Sequence, residues 1–220
     1  DPRSGEYLAF HKVSTEHRGH KRRLVYLATS RDFEHWSPAE LVLAPDEQDD
    51  AWASEPGQRT DFYNLSAFPY GNQYLGLVTV FRMQRRLKNL QPEQSSYDGP
   101  INVQLVHSRD GRHWQRCEDR NAVIPNGPYA YDAGCILGVA NQPVIHGDEM
   151  WFYYTAITTT HGGTLPEKKV TIARASWRLD GFVSLDAAEE GIVETIPLQT
   201  NGGSLVLNAD ATGGRIRVEL

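Results

Sequence analysis

Apolar and polar residues alternate along this chain in short runs, and no window keeps a helical period through three turns. Stretches 24–28, 74–80, 103–106 and 150–154 are rich in β-branched and aromatic residues, and Gly, Asn, Asp or Pro bound them. Such runs read as strands. Residues 81–90 are mostly charged or polar and read as a long loop or a single turn. The pattern predicts an all-β chain.

The strands recur as a unit. Gly5-Glu6-Tyr7, Asn72-Gln73-Tyr74 and Asp148-Glu149-Met150 each place a polar turn before an aromatic-aliphatic strand. Second strands follow at 25–30, 103–108 and 170–176, each ending in Ser and a polar turn. Two copies share a longer signature, Ser30-Arg31-Asp32 to Trp36 echoing Ser108-Arg109-Asp110 to Trp114; the third is looser, with Leu179-Asp180-Gly181-Phe182. A small antiparallel sheet cannot bury both faces alone, so repeated sheets stack around an axis as propeller blades. In this turn the Ser and Asp side chains satisfy backbone N–H groups while Trp folds into the gap between sheets, a structural role.

Propellers close with about four to eight blades, and this chain offers three. Three readings are open: further blades upstream, blades supplied by a partner, or an open β-sandwich. The start at Asp1-Pro2-Arg3, without Met, fits the first. Residues 1–180 are expected to form blades of a five-bladed propeller. From 181 the texture changes, and alternating stretches at 204–209 and 214–220 flank an Asp-Ala-Thr-Gly-Gly turn. They predict a hairpin that opens a C-terminal β-sandwich or supplies closing strands, with that domain continuing beyond 220.

Composition narrows the function. The formal net charge is −6, which gives no support to a nucleic-acid partner, and the run Lys21-Arg22-Arg23 reads as a solvated turn. No stretch approaches the roughly 18 apolar residues of a membrane span. Cys117 and Cys135 could pair once but make no disulfide framework or zinc site. A phosphate-cradling glycine loop, a Gly-x-Ser-x-Gly elbow and a Cys-x-x-Cys pair are all missing from the sequence.

In a propeller, the loops leading into the innermost strands line the central pocket. Asp1, Asp61 and Asp132 precede or open strands in the three repeats, so they are expected to converge. Glycoside hydrolysis needs two carboxyl groups across the scissile bond, one donating a proton and the other activating water or attacking the sugar. A third can tune the acid. Glu55, Asn64 and His161 are candidate sugar contacts.

These residues carry a resemblance. The chain resembles the five-bladed propeller glycosidases, the group of invertases, levansucrases and arabinanases, and is closer still to distant bacterial relatives of that group. Asp1-Pro2 before Gly5-Glu6-Tyr7 is similar to its Arg-Asp-Pro element, which implies a sugar-orienting, transition-state-stabilising role for Asp1. Asp61 falls where the group carries its acid Glu, and Glu55 in Ser-Glu-Pro-Gly is a rival for that role. The nucleophile would lie in a blade this chain does not contain. His161 is expected to meet a sugar hydroxyl or to help hold an axial metal, a structural calcium ion; no other cofactor is expected. The resemblance implies a glycoside hydrolase acting by paired carboxylates on a polysaccharide or oligosaccharide, in a secreted or periplasmic location; the alternative is a non-catalytic carbohydrate- or protein-binding propeller. The Ser-x-Asp turns are also similar to the sialidase Asp-box, one residue shorter before Trp.

Overall fold

The structure, a computed structural model, describes residues 1–219. Its strands are β1 (Tyr7–His17), β2 (His20–Ser30), β3 (Glu40–Leu43), β4 (Arg59–Tyr70), β5 (Gln73–Met83), β6 (Arg85–Arg86) and β7 (Tyr97–Asp98). They continue as β8 (Ile101–Ser108), β9 (Trp114–Arg116), β10 (Ala122–Ile124), β11 (Cys135–Val139), β12 (Val144–His146), β13 (Glu149–Ile157) and β14 (Val170–Arg178). One four-residue helix, α1 (Glu47–Asp50), is closed by a capping box between Asp46 and Asp49. The all-β expectation therefore holds. Residues 81–83, expected in a loop, instead complete β5, because Phe81 and Met83 are buried.

Three meanders make up the fold. The first is the sheet β1-β2-β3; the second runs β4-β5-β8, with β9 and β10 on β8; the third packs β11 and β12 on one side of β13 and β14 on the other. A single parallel pair, Cys135 with Ile101, joins the last two into one nine-stranded sheet. None of these sheets closes on itself.

The meanders stack face to face. Val25 and Leu43 of the first pack with Phe62, Leu65, Tyr74, Val78, Val106 and Trp114 of the second. The other side of the second, with Phe68, Leu77 and Leu105, packs on Ile136, Phe152 and Tyr154 of the third. Apolar side chains thus lie on both faces of the middle sheet, which needs a neighbour on each side.

Both Ser-x-Asp turns take the expected form. The Asp32 carboxylate accepts the backbone N–H groups of Glu34 and His35, and Asp110 does the same for Arg112 and His113. The His35 backbone and side-chain hydrogen bonds hold the Asp32 carboxyl well below its ordinary range. Trp114 is buried over Gly76, where a Cβ would come within 2.8 Å of the indole and 2.7 Å of Leu65. Trp36 is not so enclosed: it stays 38% exposed beside Phe33, and among the described residues no sheet covers that side of the first meander.

Beyond β14, residues 183–219 carry no strand. The hairpin expected over 204–220 is not formed within the described residues, and Leu220 lies outside them. Val206 is 84% and Ile192 93% exposed. An isolated hairpin with no sheet to receive its apolar face is marginal in water.

Candidate functional site

The repeat fixes which end of each sheet is which. Both β2 and β8 end in a Ser-x-Asp turn, so their antiparallel partners β1 and β5 are equivalent, as is β13, which pairs with β14. Strands β4 and β11 are then the equivalent first strands of the second and third meanders. Both carry a bulge at the same level, Tyr63 between Phe62 and Asn64, and Leu137 between Ile136 and Gly138. They run side by side: Ser66 Oγ donates to the Val139 carbonyl at 2.6 Å, and Gly138 faces the Asn64 amide.

This register decides where the three expected acids sit. Asp61 pairs with Phe81, Phe81 with Ile101, Ile101 with Cys135 and Cys135 with Ile157, one row across the sheet. Asp132 lies just before Cys135, and His161 just beyond Ile157, so both share the Asp61 end. Asp1 does not. Its carboxylate accepts from Tyr74 Oη at 2.8 Å, and Arg3 donates to the carbonyls of Gly71 and Gln73. Tyr74 and Phe81 stand at opposite ends of β5, seven residues and ~23 Å apart at the usual strand rise. Convergence of all three carboxylates is therefore not what the fold produces. Asp1 precedes a strand equivalent to β5, not to β4, so it answers to the turn at Gly71-Asn72 rather than to Asp61.

Asp61 is fully buried, and both its oxygens are engaged. Arg23 Nη1 donates to one at 2.7 Å and Arg59 Nε to the other at 3.0 Å. With no exposed surface and two guanidinium partners, this carboxylate is held fixed between the two arginines. Arg23, read from sequence as part of a solvated turn, is an interior ion-pair partner. So is Arg22, 2% exposed and bidentate on Asp50. The signal that could have placed Arg23 is period 2: on a strand it shares a face with Val25 and Leu27.

Around Asp61 the three meanders meet. Lys12 of β1 lies 4.2 Å above the Tyr63 ring and the Arg23 guanidinium 5.3 Å from it. His161 packs on Phe81 at 4.8 Å and on Tyr63 at 5.5 Å. Its Nδ1 contacts the Tyr97 carbonyl at 3.0 Å and its Nε2 the Tyr63 hydroxyl at 3.2 Å. Asp98, missed in the sequence, ties the loops together: its Oδ1 accepts from the Gly99 and Gly162 N–H groups, and Arg85 holds Oδ2. Here Gly162 is required, since a Cβ would sit 2.9 Å from the Asp98 side chain.

The remaining candidates are distributed around this cluster. The Asn64 Oδ1 accepts from Thr79 Oγ1, and the side chain faces the third meander. Glu55 is exposed in the turn before β4, closed by Gln58. Asp132 is 3% exposed; its Oδ2 accepts from Tyr154 at 2.9 Å, while its Oδ1 is buried without a partner. Burial and that hydrogen bond push the Tyr154 phenol up. Outside Asp132, Tyr129 and Tyr131 stack at 5.2 Å, with Tyr129 59% exposed. Among the described residues no three His, Cys, Asp or Glu are grouped to hold a metal ion. Cys117 and Cys135 are both free. No helix among the described residues is long and apolar enough to cross a membrane.

Burial lowers the His161 imidazole below its ordinary 6.5; the Tyr97 carbonyl and Asp98 oppose this, and Arg23 and Lys168 reinforce it. The unfolded chain then takes up the proton at higher pH than the folded one. This contribution to stability is whole above the unfolded pKa and falls as pH drops below it. Melting temperature should therefore decline from about pH 7.5 to about pH 5.5, through the ordinary histidine range, and His161→Gln should flatten the decline. An unchanged slope in that variant would remove His161 as its source.

No family model matches the chain, and no curated protein matches it. Among solved structures it is similar to an N-acetylgalactosamine deacetylase from F. plautii, determined in complex with blood group B trisaccharide. The TM-score is 0.54 and the identity 14%, over 81% of this chain and 48% of that one. Two further structures, one described as a glycoside hydrolase and one as a complex of BT0996 and RGII, each match at TM-score 0.49 and 15% identity, over 81% of this chain and 43% of theirs. The chain spans about half the length of these proteins. At such identity the likeness is one of fold.

Proposed function

We propose that this chain is a carbohydrate-recognition part of a propeller-type, carbohydrate-active protein, and that its sugar-facing end is the cluster around Tyr63 and His161. The observation that carries the reading is the meeting of three sequence-distant repeats at that end: Lys12 and Arg23 from the first, Tyr63 and Asp61 from the second, His161 from the third. Aromatic faces beside fixed polar donors suit sugar rings, whose C–H faces stack while their hydroxyls hydrogen-bond. The deacetylase of similar fold, itself held in complex with a trisaccharide, supports a carbohydrate partner.

Between the two readings the sequence left open, recognition has more support than hydrolysis by paired carboxylates. Hydrolysis needs two carboxyls roughly 5–10 Å apart across a pocket. Asp61 is sealed between arginines, and Asp1 lies at the other end of β5. In this proposal Asp61 is a positioning residue and Asn64, Asp132 and the Tyr129–Tyr131 pair border the sugar path.

A glycan array of plant and microbial polysaccharides, with the blood group B trisaccharide added, tests the proposal. Binding to at least one glycan should weaken about tenfold, roughly 1.4 kcal/mol, in Tyr63→Ala, with the melting temperature little changed. Absence of binding, or binding indifferent to Tyr63, would overturn it. Release of reducing sugar that Asp61→Asn abolishes without unfolding the chain would put hydrolysis in its place.

A further inference from the structure

A second feature stands apart from the Tyr63 cluster. Where α1 and the loop after β9 approach the first strand of the second meander, a cavity of about 390 Å³ opens between them and the second meander. That volume falls within the roughly 300–1,000 Å³ of small-molecule sites. Trp52, Asp49, Arg82, Asp119, Arg120 and Asn121 are among its lining residues.

Its walls are ordered from within. Trp52 Nε1 donates to Thr60 Oγ1 at 2.9 Å, which fixes the indole. Behind the wall, Arg116 donates to Asp49 Oδ2 at 2.7 Å and to the Gln104 amide oxygen, and its side chain is only 6% exposed. Arg120 donates to Asp46 at 2.6 Å.

Donors outnumber their partners here. The Nε of Arg116 and the Nε and Nη1 of Arg120 are buried with no hydrogen-bond partner. Arg82 is exposed and in no ion pair among the described residues. Buried donors are ordinarily satisfied, so a cavity edged by the partnerless N–H groups of Arg120 and by the exposed Arg82 calls for a ligand rich in acceptors. The same wall offers the exposed Asp119 carboxylate, which can accept from hydroxyls, and one indole that suits a ring face. A carboxylate takes charge-assisted hydrogen bonds from guanidinium more strongly than a hydroxyl does.

We propose that this cavity binds a single pyranose ring bearing a carboxylate, a hexuronate. Its carboxylate lies toward Arg82 and Arg120, its hydroxyls toward Asp119 and Asn121, and its ring against Trp52. The site is separate from the Tyr63 cluster and stands whether or not that cluster binds glycan.

The test titrates the full chain with D-glucuronate and, in parallel, D-glucose, following ligand resonances by saturation-transfer NMR and heat by calorimetry. Glucuronate should bind saturably with a Kd of about 1 mM or tighter, and glucose about tenfold more weakly or not at all. Arg82→Ala, an exposed position, should weaken glucuronate about tenfold while leaving thermal unfolding in place. Trp52→Phe should weaken both sugars, and Tyr63→Ala should leave glucuronate binding as it was. No saturable glucuronate binding, equal affinity for glucose, or indifference to Arg82→Ala would each overturn the assignment. Loss of glucuronate binding in Tyr63→Ala would move the ligand to the other cluster.

Discussion

Truncation of Trp114 to Ala should destabilise the protein by about 3–5 kcal/mol, as deletion of a buried indole does, and the same change at Trp36 should cost less than about 1 kcal/mol. The two residues hold the same place in the repeat and make the same indole hydrogen bond, to Gly111 and Phe33 respectively. What differs is the neighbour. Trp114 meets Phe10 of the first meander edge to face at 5.7 Å and seats on Gly76, whereas Trp36 stacks edge to face on Phe33 of its own turn. Urea unfolding of the two variants checks this. Equal losses would mean that the turn, not the contact between meanders, sets the energy.

The second large effect belongs to Asp61. Its replacement by Ala leaves Arg23 and Arg59, with side chains 16% and 8% exposed, facing each other without their shared anion. Breaking a buried pair from one side costs about 3–5 kcal/mol, because a charge stays buried and uncompensated. Unfolding midpoints should show that loss in Asp61→Ala and a smaller one in Asp61→Asn, which keeps an oxygen acceptor. A loss under about 1 kcal/mol in the Ala variant would show that water reaches the pair and that Asp61 is not the organiser of this end.

Much of the architecture was legible because it is written in local chemistry. The Ser-x-Asp turns satisfy their own backbone donors within five residues, so they read the same in sequence and in space. The repeat of three and the strand-rich character follow from them. The candidate site was less legible. Asp1 was matched to Asp61 because each precedes an aromatic strand, but strand order inside a repeat is set by long-range pairing, which places Asp1 beside Tyr74. Arg22 and Arg23 look like solvated charge until their partners Asp50 and Asp61, from other segments, are known. Tyr63, Asp98 and Gly162 carried no motif; they matter through contacts between meanders. The alternation at 204–219 was read correctly as pattern, yet pattern without a receiving sheet produces no strand there.

The bulges at Tyr63 and Leu137 have a genetic corollary. Along β4, Phe62 and then Leu65 point toward the first meander, and Phe68 toward the third. Odd and even positions thus exchange roles halfway along the strand, and in β11 the pair Ile136 and Val139 shows the same exchange. Losing one codon in most surface loops trims a loop. Losing one at 63 or 137 would restore strict alternation and swap inside for outside on one half of the strand. Lineages of this fold should therefore vary in length at their turns and hold their spacing fixed at these two points.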